Sequence, residues 1–393
     1  MAIIERKLSA KLKEYADTFP VVYLTGPRQS GKSTLLKHVF QGHHYVSLEE
    51  KDIRDFAISD PRGFLSGFGS PAIIDEAQYA PDLFSYIQSL VDGEDRAGMF
   101  VLSGSQNFLM MKSISQSLAG RVGILSLLPF SDMEIASTGK PTTDTNDWLF
   151  SGHYPRMVVR GIKPTDFYPN YIKTYVERDV REETGVQNIE KFTKFMRLCA
   201  ASVGSPVNLS SIGNAIGTDS RTISSWLNIL EESYIAFRLK AYTKKPALRF
   251  SKVPKLYFYD TGLLCSLLGI KATDALNLYD KRGQIFENAV ITEYYKTAYN
   301  RGWFPSDNTY FWRDSSKREK EVDFIIENGD RLDLYEIKSS QTIKERSADN
   351  LRLFEKNSGL ADCIKTVIHD GPHNMIINGT AFVNRRGIWD DYC

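Results

Sequence analysis

The sequence predicts an α/β protein: a sheet flanked by helices, then a helical stretch closed by a basic loop, then a second and smaller α/β unit. Three observations carry this. A short β-branched run from Val21 leads through a glycine-bounded loop into apolar residues at helical spacing, Leu35, Leu36, Val39 and Phe40. Between residues 191 and 255 helical apolar spacing gives way to "KKPALRFSKVPK", which contains no acid. Near the C-terminus, "VDFII" and "LDLYEIK" flank Asn328-Gly329 and read as a hairpin.

Length and composition bound the reading. At 393 residues the chain has room for two to three domains, each with its own core. With 42% apolar and 25% charged residues it is globular rather than disordered or fibrous. The net charge of +1 is silent about nucleic acid, so only local patches can speak to it. Cys199, Cys265, Cys363 and Cys393 form no C-x-x-C pair, which argues for a reducing cytoplasm and against a structural zinc or a disulfide scaffold. No apolar run approaches the roughly 18 residues that span a bilayer, and the charged N-terminus lacks the pattern of a signal peptide. A cytoplasmic location without a membrane partner is expected.

The first module is expected over residues 1–135. "GPRQSGKST" matches G-x-x-x-x-G-K-[ST], with strand before and helix after. In such a loop, backbone N–H groups wrap phosphates closely, which side chains at Gly26 and Gly31 would block. The expected ATP-binding residues are Gly26, Pro27, Arg28, Gln29, Ser30, Gly31, Lys32, Ser33 and Thr34, with Lys32 reaching the β/γ-phosphates and Ser33 giving its hydroxyl to Mg2+. After the strand at Ala72 to Ile74, Asp75 is expected to hold Mg2+ through its water shell and Glu76 to polarise the attacking water. Ser105 and Gln106, after "MFVLSGS", read as γ-phosphate sensors or as a plain turn. Arg121 reads as an arginine finger for its own or a neighbouring subunit's site, or as a surface ion pair. A homo-oligomer through this module would follow from the neighbouring case.

The ordered set "YLTGPRQSGKSTLL", "IIDEAQ", "LSGSQN", "SLAGRV" with "LPFS", "YIKTYVERDV" and "KLYFYDTGL" resembles the AAA-type ATP-binding proteins of bacteria and archaea, and more narrowly those carrying a C-terminal conserved domain of unknown function. The resemblance covers nearly the whole chain. It implies the fold of the first module and its ATP site; it does not define a biological role. It also marks Glu177, Arg178 and Asp179 as a recurrent element of that family.

A helical connector is expected over 136–190 and a winged helix-turn-helix over 191–255. In the latter, "TDSRTISSWLNILEESY" buries Ile223, Trp226, Leu227 and Leu230 and turns Arg221, Ser224, Ser225 and Asn228 outward, as a recognition helix would. Lys244, Lys245, Arg249, Lys252 and Lys255 then make a local basic patch where a wing meets phosphates. The alternative is a lid or protein-contact module with a solvated loop.

The last module, 256–393, offers the four polar parts of a PD-(D/E)xK nuclease site in order. They are Glu287 on an apolar helix, Asp323 on one strand, and Glu336 with Lys338 two apart on the next. Alternation puts Glu336 and Lys338 on one face and Tyr335 and Ile337 on the other. Glu287, Asp323 and Glu336 would hold a divalent ion while Lys338 positions or activates water. The proline usual before the strand acid is absent, its place taken by Val322. A restriction-endonuclease-like fold is therefore expected, acting on DNA or RNA. The rival is an ATP-switched scaffold with a degenerate, non-cleaving last module.

Overall fold

The computed structural model describes residues 3–94, 96–104, 117–139, 142–176, 180–181, 184, 186–245, 249, 252–314, 320–358 and 363–389. Five strands form the first sheet: β1 (Val21–Thr25), β2 (His44–Ser47), β3 (Ala72–Asp75), β4 (Phe100–Ser103) and β5 (Val122–Ser126). They lie in the order β2-β3-β4-β1-β5, all parallel. Helices cover both faces. Val22 and Leu24 pack with Leu12, Leu35 and Leu36, while Val21 and Tyr23 pack with Phe64, Phe84 and Ile87. Burial on both faces explains why β1, β3 and β4 read as continuous apolar runs instead of alternating ones. Because the strands are parallel, the loops after β1 and β3 leave from the same edge of the sheet.

Helices Thr145–Ser151, Pro155–Arg160 and Pro164–Thr174 lead away from this sheet. Three more follow, Ile189–Ala201, Leu209–Ile216 and Ser220–Glu232, whose starts are fixed by Asn188, Asn208 and Asp219 accepting backbone N–H groups of the first turn. Trp226 packs edge-on against Phe192, and Arg221, Ser225 and Asn228 are exposed as the helical spacing predicts. Next come β6 (Ala236–Ala241) and β7 (Lys255–Phe258), paired antiparallel.

The second sheet has eight strands in the order β12-β13-β11-β10-β9-β8-β6-β7. Its later members are β8 (Thr309–Arg313), β9 (Glu321–Asn328), β10 (Arg331–Lys338), β11 (Cys363–His369), β12 (Met375–Ile377) and β13 (Thr380–Asn384). Helix Arg282–Asn300 precedes β8, and helix Asp349–Ser358 joins β10 to its parallel neighbour β11. β6 pairs with β8 through Lys240 and Ala241, so this sheet runs from the helical stretch into the last unit without a break. One core, from Leu128 and Trp148 to Ile368 and Trp389, fills both.

Two expectations change here. The boundary expected at 255/256 falls inside β7, because Lys255, the last residue of the basic run, is also the first residue of that strand. The β9–β10 turn is centred on Gly329-Asp330 rather than Asn328-Gly329, since Asn328 pairs with Arg331. The register slides by two residues, so every side chain keeps its face.

Candidate functional site

The loop after β1 is built on backbone conformations that need its residue types. Gly26 has φ +143°, and a Cβ there would stand 2.2 Å from the Leu127 carbonyl oxygen. Gln29 and Gly31 follow in the left-handed region at φ 62° and 94°. Lys32, nearly buried, folds back so that Nζ donates to the Gly26 and Pro27 carbonyls at 2.9 and 3.0 Å. Arg6 braces the loop from below. Its guanidinium donates to the Ser30 carbonyl at 2.8 Å, to the Leu128 carbonyl at 2.6 Å and to Glu134 at 2.9 Å.

Two cavities meet at this loop. One, of about 410 Å³, is lined by Arg28, Gln29, Lys32, Ser33 and Thr34, faced by Glu76 and by Tyr171 and Tyr175. The other, of about 330 Å³, shares Gln29, Gly31 and Thr34 with the first and is walled mainly by Ile3, Ile4, Leu35, Phe130, Pro155 and Val159, with Arg156 and Arg160 beside them. A polar chamber beside an apolar one suits a charged group joined to a flat apolar one.

Asp75, buried at the end of β3, accepts from Ser103 and, at 2.7 Å, from the Tyr45 hydroxyl. Burial, and then the bond to Asp75, hold the Tyr45 hydroxyl well above its ordinary pKa, so it remains a donor. Glu76 has φ 56° and accepts from Gln78 Nε2 at 2.5 Å. Tyr45, Ser103 and Arg6 escaped the sequence reading because they come from β2, β4 and the N-terminal segment, with no local pattern to mark them. Ser105, Gln106 and the segment Glu177 to Asp179 lie outside the described residues.

Arg121 does not face the phosphate loop of its own chain. It sits just before β5, and its carbonyl accepts from Val21 N at the opposite end of the sheet from the loop. Its guanidinium holds Asp92, with Nη2 at 3.0 Å, and the Ala119 carbonyl.

The second group of residues lies where β9 begins and β10 ends. Continuing the register from Tyr335–Phe324 sets Asp323 opposite Glu336. Asp323 Oδ2 accepts from Ile337 N at 2.8 Å and lies 3.9 Å from Lys338 Nζ, which is 2.5 Å from Glu336 Oε1. Glu336 Oε2 is buried without a hydrogen-bond partner. Glu287 reaches in from helix Arg282–Asn300, its Oε1 accepting from Tyr257 at 2.5 Å and from Lys255 Nζ at 3.2 Å. Burial, with the Asp323 charge adding, pushes Glu336 up to about 8. Burial also pushes Glu287 up to about 7; Lys255 opposes that rise and Asp323 adds to it. Asp323, Glu336 and Lys338 thus stand together, with Glu287 near enough to feel the Asp323 charge, while the oxygens of the three carboxylates are not all within 4.8 Å of one another.

The basic patch is correspondingly smaller than expected. Arg249 makes a bidentate pair with Glu327 at 2.7 and 2.8 Å, and Lys255 is buried between Glu287 and Glu321. Lys244, Lys245 and Lys252 are exposed.

The two regions are joined by a buried polar cluster. Asp132 N donates to Glu293 Oε2 at 2.8 Å, and Lys296 Nζ bonds Glu293 Oε1 at 2.6 Å and His153 Nδ1 at 2.9 Å. Among the described residues, Asp132, His153 and Glu293 are the only trio whose ligand-type atoms all lie within 4.8 Å of one another. No helix of the described residues is long and apolar enough to cross a membrane.

Residues 18–136 match a family model described as an AAA domain. Residues 142–274 and 282–385 match two models, each described as a domain of unknown function (DUF8612 and DUF4143). An uncharacterized protein of Mycobacterium tuberculosis is 29% identical over 345 residues, 87% of this chain and 75% of that one. An uncharacterized protein of Haemophilus influenzae is 22% identical over 378 residues, 88% and 89% of the two chains. Among solved structures, a Walker-type ATPase of Pyrococcus abyssi aligns over 67% of this chain and 96% of its own at 16% identity, with a TM-score of 0.48. The AAA match, the parallel sheet and the phosphate loop together make the first module an AAA-type, P-loop ATP-binding unit.

Proposed function

We propose that the protein is a magnesium-dependent ATPase whose nucleotide state governs a metal-dependent nuclease-type site on the second sheet. The observation that carries the second half is the convergence of Glu287, Asp323, Glu336 and Lys338. The element order supports it, since helix Arg282–Asn300 carries Glu287 ahead of the β9–β10 hairpin that carries Asp323, Glu336 and Lys338, the order such a site asks for.

At the first site, ATP lays its phosphates along Gly26 to Thr34 and its base in the apolar cavity. Lys32 exchanges the Gly26 and Pro27 carbonyls for phosphate oxygens. Ser33 and Asp75 would hold a magnesium ion, and the Tyr45 hydroxyl, hydrogen-bonded to Asp75, would keep that carboxylate in place. Glu76 orients the attacking water and takes its proton. At the second site, Glu336 Oε2 is a buried oxygen short of a partner, which fits a bound cation. Lys338 orients water toward the phosphodiester. The ion at either site supplies neutralisation of phosphate charge when bound. The three helices with the β6–β7 pair act as a winged helix, presenting Arg221, Ser225 and Asn228 with Lys244, Lys245 and Lys252 to nucleic acid.

A physical route joins the sites. Arg6 ties the phosphate loop to Glu134; Glu134 caps the segment carrying Asp132; and Asp132 is held by Glu293, on the helix that also carries Glu287. The second reading, an ATP-switched scaffold in a cytoplasmic assembly, draws on the two lysines already standing at the carboxylates. Single-stranded DNA, duplex DNA and RNA incubated with protein and Mn2+, with and without ATP, separate the two. Cleavage lost in Asp323→Ala supports the first reading, and no cleavage of any substrate leaves the scaffold.

A further inference from the structure

We propose that Lys255 fills, within the chain, the second cation position of the carboxylate site, so that this site takes one divalent ion rather than two. The inference rests on reading the site as metal-binding. Lys255 comes from β7, outside the unit spanned by residues 282–385, and only 1% of it is exposed. Its ammonium contacts Glu321 and lies 3.2 Å from Glu287. Such a buried charge is held only by its partners, so the pairing is fixed by the cost of breaking it.

The charges then count out. Glu287, Glu321, Asp323 and Glu336 face Lys255 and Lys338, so once a bound cation draws the protons from Glu287 and Glu336, four negative charges stand against two positive, a deficit that one divalent ion balances. Arg313, 3.9 Å from Glu321 and part exposed at the rim, is screened by solvent and is left out of this count. A second divalent ion, about 3.5–4 Å from the first as in two-metal sites, would meet two lysines with no carboxylate to offset it. The coordination follows the same division. Glu287 Oε1 is committed to Lys255 and Tyr257, whereas buried Glu336 Oε2, across from Asp323, has no partner. One side of the site holds a fixed cation and the other side lacks one.

The test is the number of Mn2+ ions bound by the nucleotide-free full chain, counted by electron paramagnetic resonance in an Asp75→Asn background that silences the phosphate-loop site. One ion is expected with Lys255 intact and with Lys255→Arg, and two with Lys255→Met. Two ions with Lys255 intact, or one in Lys255→Met, overturns the proposal while leaving the metal site standing. No bound ion overturns the metal reading and this inference with it. If Lys255→Met fails to fold, the counts for the intact chain and Lys255→Arg still decide, since two ions in either contradicts the proposal.

Discussion

The phosphate loop and the carboxylate site differ in how much sequence each needs. The first is made by nine consecutive residues whose backbone does the work, with Gly26 and Gly31 in conformations that other residues resist. The second is made by side chains from four separate places, β7, helix Arg282–Asn300, β9 and β10. A backbone cradle tolerates change around it, whereas a side-chain site depends on every element that supplies a member. Variants should therefore act sharply and locally at the loop, and diffusely, through charge balance, at the carboxylates.

The largest effect is expected at the loop itself. Lys32→Ala removes ATP binding in equilibrium titration, while Glu76→Gln keeps binding and slows turnover by roughly 10²–10⁴-fold, the range of a lost general base. Turnover at the wild-type rate in both would break the assignment. Next, Arg6→Ala leaves Glu134 buried without its cation, a loss of about 3–5 kcal/mol that denaturant unfolding would read. An unchanged midpoint would deny Arg6 its bracing role.

A smaller effect separates the sites by pH. Glu287 and Glu336 hold protons in the folded chain to about 7 and about 8, above the carboxyl value near 4.3 of an unfolded chain. Folding therefore takes up protons. Their contribution is complete below the unfolded value and is lost as pH rises through the folded ones. Without divalent ions, the melting temperature should fall from pH 5 to 9, and Glu336→Gln should flatten the fall. A slope that ignores the substitution would show that the decline arises elsewhere. The smallest effect is Arg121→Ala, which should change ATP turnover of dilute protein by less than about twofold, since its guanidinium is held by Asp92 at the far end of the sheet.

Legibility followed the same division. "GPRQSGKST" and "IIDE" could be read directly because their spacing along the chain is their spacing in space. Asp323, Glu336 and Lys338 were readable because a hairpin converts sequence alternation into a shared face, and the two-residue error in the turn could not flip it. Lys255 resembles a wing cation or a solvated loop residue in the sequence because its partners Glu287 and Glu321 are 32 and 66 residues away. The same holds for Arg249, whose partner Glu327 lies 78 residues on. Charge pairing across such distances leaves no periodic trace, so a basic run in sequence resembles a basic patch until its acids are placed.

The most direct test of a second, independent site is the melting temperature of nucleotide-free protein with and without Mn2+, measured for Lys32→Ala and Glu336→Ala. Binding to the folded state alone raises it by mass action. The account predicts that Lys32→Ala keeps the Mn2+-induced rise and Glu336→Ala loses it. A rise of wild-type size in Glu336→Ala would contradict the carboxylate site and leave the phosphate loop as the molecule's one supported centre of chemistry.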